Sequence, residues 1–396
     1  MVSNVVFLVQ RFPGYGGAEE YVFQLTRRLA DSGIKCTILT SDLDKRDAAG
    51  LPESVKVVKF PVFFKVGEYA LWRGLFKALL GIRADVFHVN TYGYFHTDVV
   101  SLLHGLKGFK VVLTSHGFQG LDAFLSQHRN GVRTTSVLTK FRVATRPFYD
   151  FTLGFNEIAS ADALVALSEN DVNIFRWMGA KTSKIHEISL GVRDVFFEGG
   201  DEALKANLRE RLNGDPVILS VGELSWIKGK DIPLRALARL VKDYPRAKLV
   251  YVGKDGGMYG HLRELICHLG LEKNVMFEGY VTSEDLVNYY GMADVLVHTS
   301  YAEGLSTILL EAMAKGLPVI STPAGGNGQL LQKSKGGIVV PFNDPKSVCL
   351  AVNRILSDTS FVKTLASNGS SFVVNNHRWA NLINKYENLY EGLARE

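Results

Sequence analysis

The feature that most constrains this chain is a repeated one. Short apolar runs rich in valine, isoleucine and leucine close on polar or glycine residues, and a segment with helical spacing usually follows. They fall at 4–9, 36–41, 55–62, 85–90, 110–116 and 163–168, and again at 216–222, 247–253, 275–280, 294–298 and 318–320. Runs without polar alternation are strands covered on both faces, and strands alternating with helices predict parallel, doubly wound α/β sheets. A chain of 396 residues is too long for one core, so two such domains are expected.

Open α/β sheets take ligands at the carboxyl ends of their strands, so the polar residues there are the candidate site. After the first run, Gly14, Gly16 and Gly17 lie in a loop that opens onto a helix predicted from Tyr21 to Ser32. Such a loop permits close backbone approach and offers an anion site, or it is simply a tight turn. Glu19 stands where a dinucleotide fingerprint needs glycine. His116, and less clearly His88, also fall at strand ends.

In the second half, SYAEGLSTILLEAMAKGLPVI (300–320) carries two carboxylates, Glu303 and Glu311. Gly304, Ser306 and Thr307 predict a helix start with a hydroxyl cap, and Leu309, Leu310 and Met313 its buried face. Glu303 then lies on the loop and Glu311 inside the helix, both at one mouth. Backbone amides around Leu305 to Thr307 suit a phosphate, and the flanking acids suit sugar hydroxyls. Something both phosphorylated and rich in hydroxyls, a sugar nucleotide, fits.

Glu303-x7-Glu311, followed by Ala-Met-Ala-x-Gly-x-Pro-Val-Ile, resembles the signature of retaining glycosyltransferases of the glycosyltransferase family 4 kind. That resemblance implies the GT-B fold, two Rossmann-like domains facing each other across a cleft. On it, residues 1–193 form the acceptor-side domain, 194–375 the donor-binding domain, and 376–396 a terminal helix packing back on the first. It also implies a retaining transfer of one sugar from a UDP- or GDP-sugar to a glycan or lipid-linked acceptor, without metal and with the nucleotide sugar as substrate rather than cofactor. Lys228, His116 and Glu303 become the catalytic candidates. Donor binding is carried to Gly16, Gly17, Gly222, Lys228, Tyr280, Val281, Glu303, Gly304, Leu305, Ser306, Thr307 and Glu311. Tyr280 and Val281 hold the base through backbone groups, and Glu311 holds the ribose.

Two positions depart from the family's pattern. Glu223 stands where an arginine is usual beside the diphosphate, and Gln329 replaces an acid in the loop Pro323 to Gln329. At an effective dielectric near 20, unit charges about 4 Å apart interact by roughly 4 kcal/mol, so Glu223 cannot point at phosphate. Either it turns away, with Lys230 or an arginine from elsewhere compensating, or the donor is of another type. The alternatives are a nucleotide-sugar epimerase, a pyridoxal-dependent phosphorylase of the same fold, or a nucleotide-sugar-binding protein without turnover.

Composition narrows the setting. Charged residues at 21% and a net charge of +5 suit anionic ligands or lipid surfaces and do not call for nucleic acid. Three dispersed cysteines, Cys36, Cys267 and Cys349, lack metal-ligand spacing and fit a reducing cytoplasm. The N-terminal apolar run is too short for a signal peptide and reads as a strand, and no run approaches a membrane span. Residues 69–82, YALWRGLFKALLGI, predict one helix with an apolar stripe, either packed on its sheet or lying in a membrane interface. The acid-free stretch bearing Arg129, Arg133, Lys140, Arg142 and Arg146 among aromatics suits anionic headgroups or a solvated face. Peripheral contact with the inner face of an anionic membrane is the resulting expectation.

Overall fold

The computed structural model describes residues 2–14, 16–46, 48–66, 69–117 and 149–395. The basic stretch bearing Arg129, Arg133, Lys140, Arg142 and Arg146 lies outside them. The chain divides into two compact units that part between Gly191 and Val192, with Trp379–Glu396 returning to the first.

The first unit is built on a parallel sheet of seven strands in the order β3-β2-β1-β6-β7-β8-β9. These are β1 (Asn4–Val9), β2 (Lys35–Ser41), β3 (Val55–Phe60), β6 (Val86–Asn90), β7 (Lys110–Thr114), β8 (Ala163–Ala166) and β9 (Ile185–Glu187). All the pairings are parallel, β1 lying between β2 and β6. Val5, Phe7 and Leu8 are fully buried, as uninterrupted apolar strands require. Between β3 and β6 the chain makes an antiparallel hairpin, β4 (Val62–Val66) with β5 (Tyr69–Trp72).

That hairpin corrects two expectations. The run 55–62 ends at Phe60, and Pro61 separates it from β4. The single helix expected over 69–82 is a strand to Trp72 and then a short helix, Leu75–Gly81. Gly74, with φ of 87°, makes the break, a conformation glycine adopts without strain. Trp72, Leu75 and Leu79 are buried while Phe76 and Leu80 face outward.

The second unit carries a six-stranded parallel sheet ordered β12-β11-β10-β13-β14-β15. Its strands are β10 (Val217–Val221), β11 (Lys248–Val252), β12 (Val275–Gly279), β13 (Val295–His298), β14 (Val319–Ser321) and β15 (Gly337–Val339). Ile218, Leu249, Val295, Val297 and Ile320 share one core with Leu234 and Leu237 of the helix Asp231–Leu240. A charged helix, Glu202–Leu212, precedes β10, and Asp201 caps it by accepting from the Ala203 and Leu204 amides.

The last helix, Trp379–Arg395, buries Trp379, Leu382, Tyr386, Leu389, Tyr390 and Leu393. It completes the first unit with polar as well as apolar contacts. Tyr21 donates to the Tyr386 hydroxyl at 2.9 Å, and the Tyr390 hydroxyl lies 2.6 Å from His88 Nδ1. His88, whose Nε2 lies 2.7 Å from Thr114 Oγ1, is thus a structural link between sheet and helix. Tyr386→Phe leaves the Tyr21 donor without this acceptor and is expected to destabilise the first unit by about 1–3 kcal/mol. Tyr386→Ala adds a cavity and should cost about 3–5 kcal/mol, both read as shifts in the urea midpoint.

Candidate functional site

The second unit places Gly222, Lys228 and Glu303 beyond the carboxyl ends of β10 and β13, with Lys228 and Glu303 in contact. Beyond β10, a loop turns through a short helix, Trp226–Lys228, and Gly229 fits closely against the Thr299 backbone. Thr299 Oγ1 donates to the Gly229 carbonyl at 2.9 Å, and the Tyr301 amide donates to the Ile227 carbonyl at 2.8 Å. The Lys228 loop is therefore stitched to the segment that carries Glu303.

Glu303 is the charge centre of this arrangement. Its Oε1 accepts from Lys228 Nζ at 2.6 Å and lies 3.0 Å from Nε2 of His298, the last residue of β13. Burial works to raise the carboxyl's pKa, but Lys228 and the His298 hydrogen bond outweigh it and hold it well below the usual carboxylate range. Burial also lowers the pKa of His298, with Lys228 and Lys230 acting the same way and Glu303 opposing. An ionised carboxylate only accepts, so a neutral His298 presents its proton on Nε2. Oε2 of Glu303 has no partner among the described residues.

The helix expected after Gly304 spans Thr307–Ala314, with Glu311 inside it. The hydroxyl cap does not form. Instead Asn327 Oδ1, from the first residue of the helix that follows β14, accepts from the Ser306 amide at 3.1 Å. That uses one of the three amides expected to face a phosphate, and no side-chain cap takes those of the first turn. Gly325 has φ of 54°, and a Cβ there would collide with the Glu303 and Gly304 carbonyl oxygens. The glycine pair thus serves to press this loop onto the Glu303 turn.

The other predicted residues are placed as follows. Glu311 accepts from the Tyr290 hydroxyl at 3.0 Å, on the helix Ser283–Met292. Tyr280 is exposed and Val281 half-buried at the end of β12. Gly222 follows β10 with φ of 113°. Glu223 turns towards Lys254, 3.5 Å away. Gln329 lies in the first turn of the helix Asn327–Ser334, its Oε1 buried without a hydrogen-bond partner.

Gly16, Gly17 and His116 belong to the first unit. The helix expected from Tyr21 begins at Gly17, with Gly16 at its cap, and its first turn already carries Glu19 and Glu20. The Glu19 carboxylate lies where a Cβ on Gly16 would go. That makes this helix start a poor anion site and leaves the loop's backbone for a neutral ligand. His116 follows β7 with φ of 49°, its ring edge-on to Tyr21 at 4.7 Å and its Nε2 3.4 Å from Asn90 Oδ1. The ring keeps some surface open, yet desolvation pulls its pKa down to about 3.

Sequence reasoning passed over His298 and the burial of Lys230. Both had a signal: His298 closes an apolar strand as His116 does, and Lys230 is a cation just beyond the Lys228-Gly229 pair.

Comparison with known proteins places both halves. Residues 15–195 match the model for Glycosyltransferase Family 4 and residues 205–372 that for Glycosyl transferases group 1. The chain is 30% identical over 372 residues to a D-inositol 3-phosphate glycosyltransferase of Streptomyces bingchenggensis, covering 89% of this chain and 79% of that one. It is 33% identical over 190 residues to an uncharacterized glycosyltransferase of Methanocaldococcus jannaschii, a match spanning 47% of this chain and about half of the relative, 48%. In structure it resembles Anabaena HepE in complex with UDP-glucose, with a TM-score of 0.76, 20% identity, and coverage of 98% and 99% of the two chains.

Glu303→Gln keeps the shape of the cluster and removes the charge that Lys228 and His298 surround. With Lys228 partly in solvent, the expected loss is about 2–3 kcal/mol at neutral pH, below that of a wholly buried pair. Glu303 is depressed from its ordinary 4.5, so the unfolded chain binds more protons between the two values. The advantage of wild type over the variant is thus complete above about pH 4.5 and fades as pH falls through the lower folded value. Urea titrations of both proteins across acid pH check this.

Proposed function

This chain belongs to the Family 4 glycosyltransferases, and from that premise we propose that it moves one sugar from a nucleoside diphosphate donor to a glycan or lipid-linked acceptor, retaining the anomeric configuration. The observation that carries the reading is the Lys228–Glu303–His298 cluster beside the start of the helix Thr307–Ala314, with no side-chain cap on its first turn. A half-buried cation next to open amides meets charge as it grows on a leaving diphosphate, a preorganised form of catalysis that requires no metal ion. Lys228 and the first-turn amides take that role, and Gly222 lets the diphosphate approach.

Glu303 Oε2 accepts from the donor sugar's hydroxyls, and Glu311 accepts from the ribose. Backbone groups at Tyr280 and Val281 hold the base, with Gly304 and Leu305 shaping the turn beneath the sugar. In the first unit, considered by itself, His116 and the backbone at Gly16 and Gly17 are the groups suited to sugar hydroxyls. The UDP-glucose complex of HepE supports a uridine donor, with a GDP-sugar the other candidate.

The acceptor side of the reading includes an anionic membrane on its cytoplasmic face. Phe63 and Phe64 on β4 are 63% and 56% exposed, and Val66, Phe76 and Leu80 are exposed as well. Lys65, Arg73 and Lys77 are exposed among them. Apolar side chains interleaved with cations suit the headgroup region of an anionic bilayer. No helix among the described residues is long and apolar enough to cross a membrane.

Two measurements test these readings. In a melting panel of UDP-, GDP- and ADP-glucose, one donor should raise the transition, since a ligand at 100 times its Kd adds about 2.7 kcal/mol. Proton NMR of the transfer product should show the donor's anomeric configuration. No shift with any donor overturns the donor class, and inversion overturns retention. For the membrane, Phe63→Ser with Phe64→Ser should abolish co-sedimentation with phosphatidylglycerol vesicles while donor binding persists. Unchanged sedimentation removes the patch.

A further inference from the structure

One cation of the second unit is held in an unusual way. Lys230, the residue before the helix Asp231–Leu240, turns its side chain inward and is 1% exposed. Its Nζ donates to the Val221 carbonyl at 2.7 Å and to Ser220 Oγ at 3.0 Å. Both acceptors are neutral. Lysine is almost never fully buried unless paired, and an ammonium has three donors. The third has no partner among the described residues.

The surroundings do not supply a counter-ion. Lys228, Glu303 and His298 are the ionisable side chains that act on or feel this ammonium. Glu303 is already engaged by Lys228 and His298. Asp231, next in the chain, faces Arg235 at 3.3 Å. The Tyr251 hydroxyl donates to the Lys230 backbone carbonyl at 2.6 Å and so fixes the main chain rather than the charge. With Lys230 protonated, two ammonium groups, one carboxylate and a neutral imidazole leave the cluster one negative charge short.

The position of the ammonium shows where that charge belongs. Nζ lies 3.7 Å from the place a Cβ on Gly222 would occupy, and Ile308 of the first turn of the helix Thr307–Ala314 lies 3.3 Å from the same point. The ammonium thus lies just behind the bare backbone of Gly222, between the end of β10 and the start of that helix. Glu223, at the position where the family's pattern has a cation, points to Lys254.

We propose that Lys230 is the second cation that grips the donor's diphosphate, met where the bare backbone of Gly222 lets the diphosphate come close, and standing in for the arginine that Glu223 replaces. The inference rests on the donor reading above and adds to it the residue that completes the diphosphate site. Burial pulls the Lys230 pKa down to about 7, with Lys228 acting in the same direction and Glu303 opposing. A phosphate oxygen on the third N–H favours the charged form and raises that value. Donor binding therefore takes up a proton above neutrality, and affinity falls as pH climbs through the window between the free and bound values.

Calorimetric titration with UDP-glucose, uridine and inorganic pyrophosphate separates this from a purely structural lysine. UDP-glucose suits the pH arm because its diphosphate does not titrate near neutrality. Lys230→Met should bind UDP-glucose and pyrophosphate about 10- to 100-fold more weakly, the loss of one charged hydrogen bond, and bind uridine as wild type does. Lys230→Arg keeps a charge that does not titrate, so its UDP-glucose affinity should be flat between about pH 6.5 and 8.5, where wild type weakens and takes up a proton. A Lys230→Met protein with wild-type melting and wild-type UDP-glucose and pyrophosphate affinity overturns the proposal, as does Lys230→Arg with the wild-type pH profile. Should wild type bind pyrophosphate through Lys230 but no nucleotide sugar, the donor reading falls and this cation site stands.

Discussion

An ionised carboxylate with little access to water, clasped by an ammonium and an imidazole, is the interaction on which the second unit's site depends. Glu303 stays charged only because Lys228 lies 2.6 Å away and His298 offers a proton at 3.0 Å. Neither partner belongs to its own loop. Lys228 reaches it because Gly229 fits against Thr299, and His298 because a parallel strand ends there. The parallel sheet is thus the device that gathers side chains from distant parts of the chain to one edge.

Local sequence exposes such a sheet well. Strands buried on both faces must be apolar throughout, and the parallel strands among the described residues coincide closely with the predicted runs at 4–9, 36–41, 163–168 and 294–298. The Glu303 to Glu311 spacing was legible for the same reason, since a strand, a loop and a helix in succession place both acids near one helix start. What was not legible depended on partners far along the chain. Asn327 takes the Ser306 amide from 21 residues away, where a local hydroxyl cap was expected. The hairpin β4–β5 defeated a periodicity argument because Leu71, Trp72, Leu75 and Phe76 satisfy helical spacing as well as the two elements that Gly74 separates.

Glu223 and Lys230 show how a motif position and the charge at a site come apart. An acid at position 223 looked like damage to a diphosphate site, and its carboxylate is in fact directed at Lys254. The same stretch of chain buries Lys230 with only neutral acceptors. A family pattern compares positions one at a time, whereas a diphosphate responds to total charge and to where the donors point. On our proposal, this chain has exchanged the position of a cation while keeping its effect.

The return of Trp379–Arg395 to the first unit also bears on how the protein is made. Tyr386 and Tyr390 supply hydroxyls to Tyr21 and His88, which are synthesised hundreds of residues earlier. These residues are synthesised only after the whole of Val192–Arg378. The unit whose synthesis begins first is thus completed after the second, and until then the buried side chains of Leu382, Tyr386 and Tyr390 are missing from it.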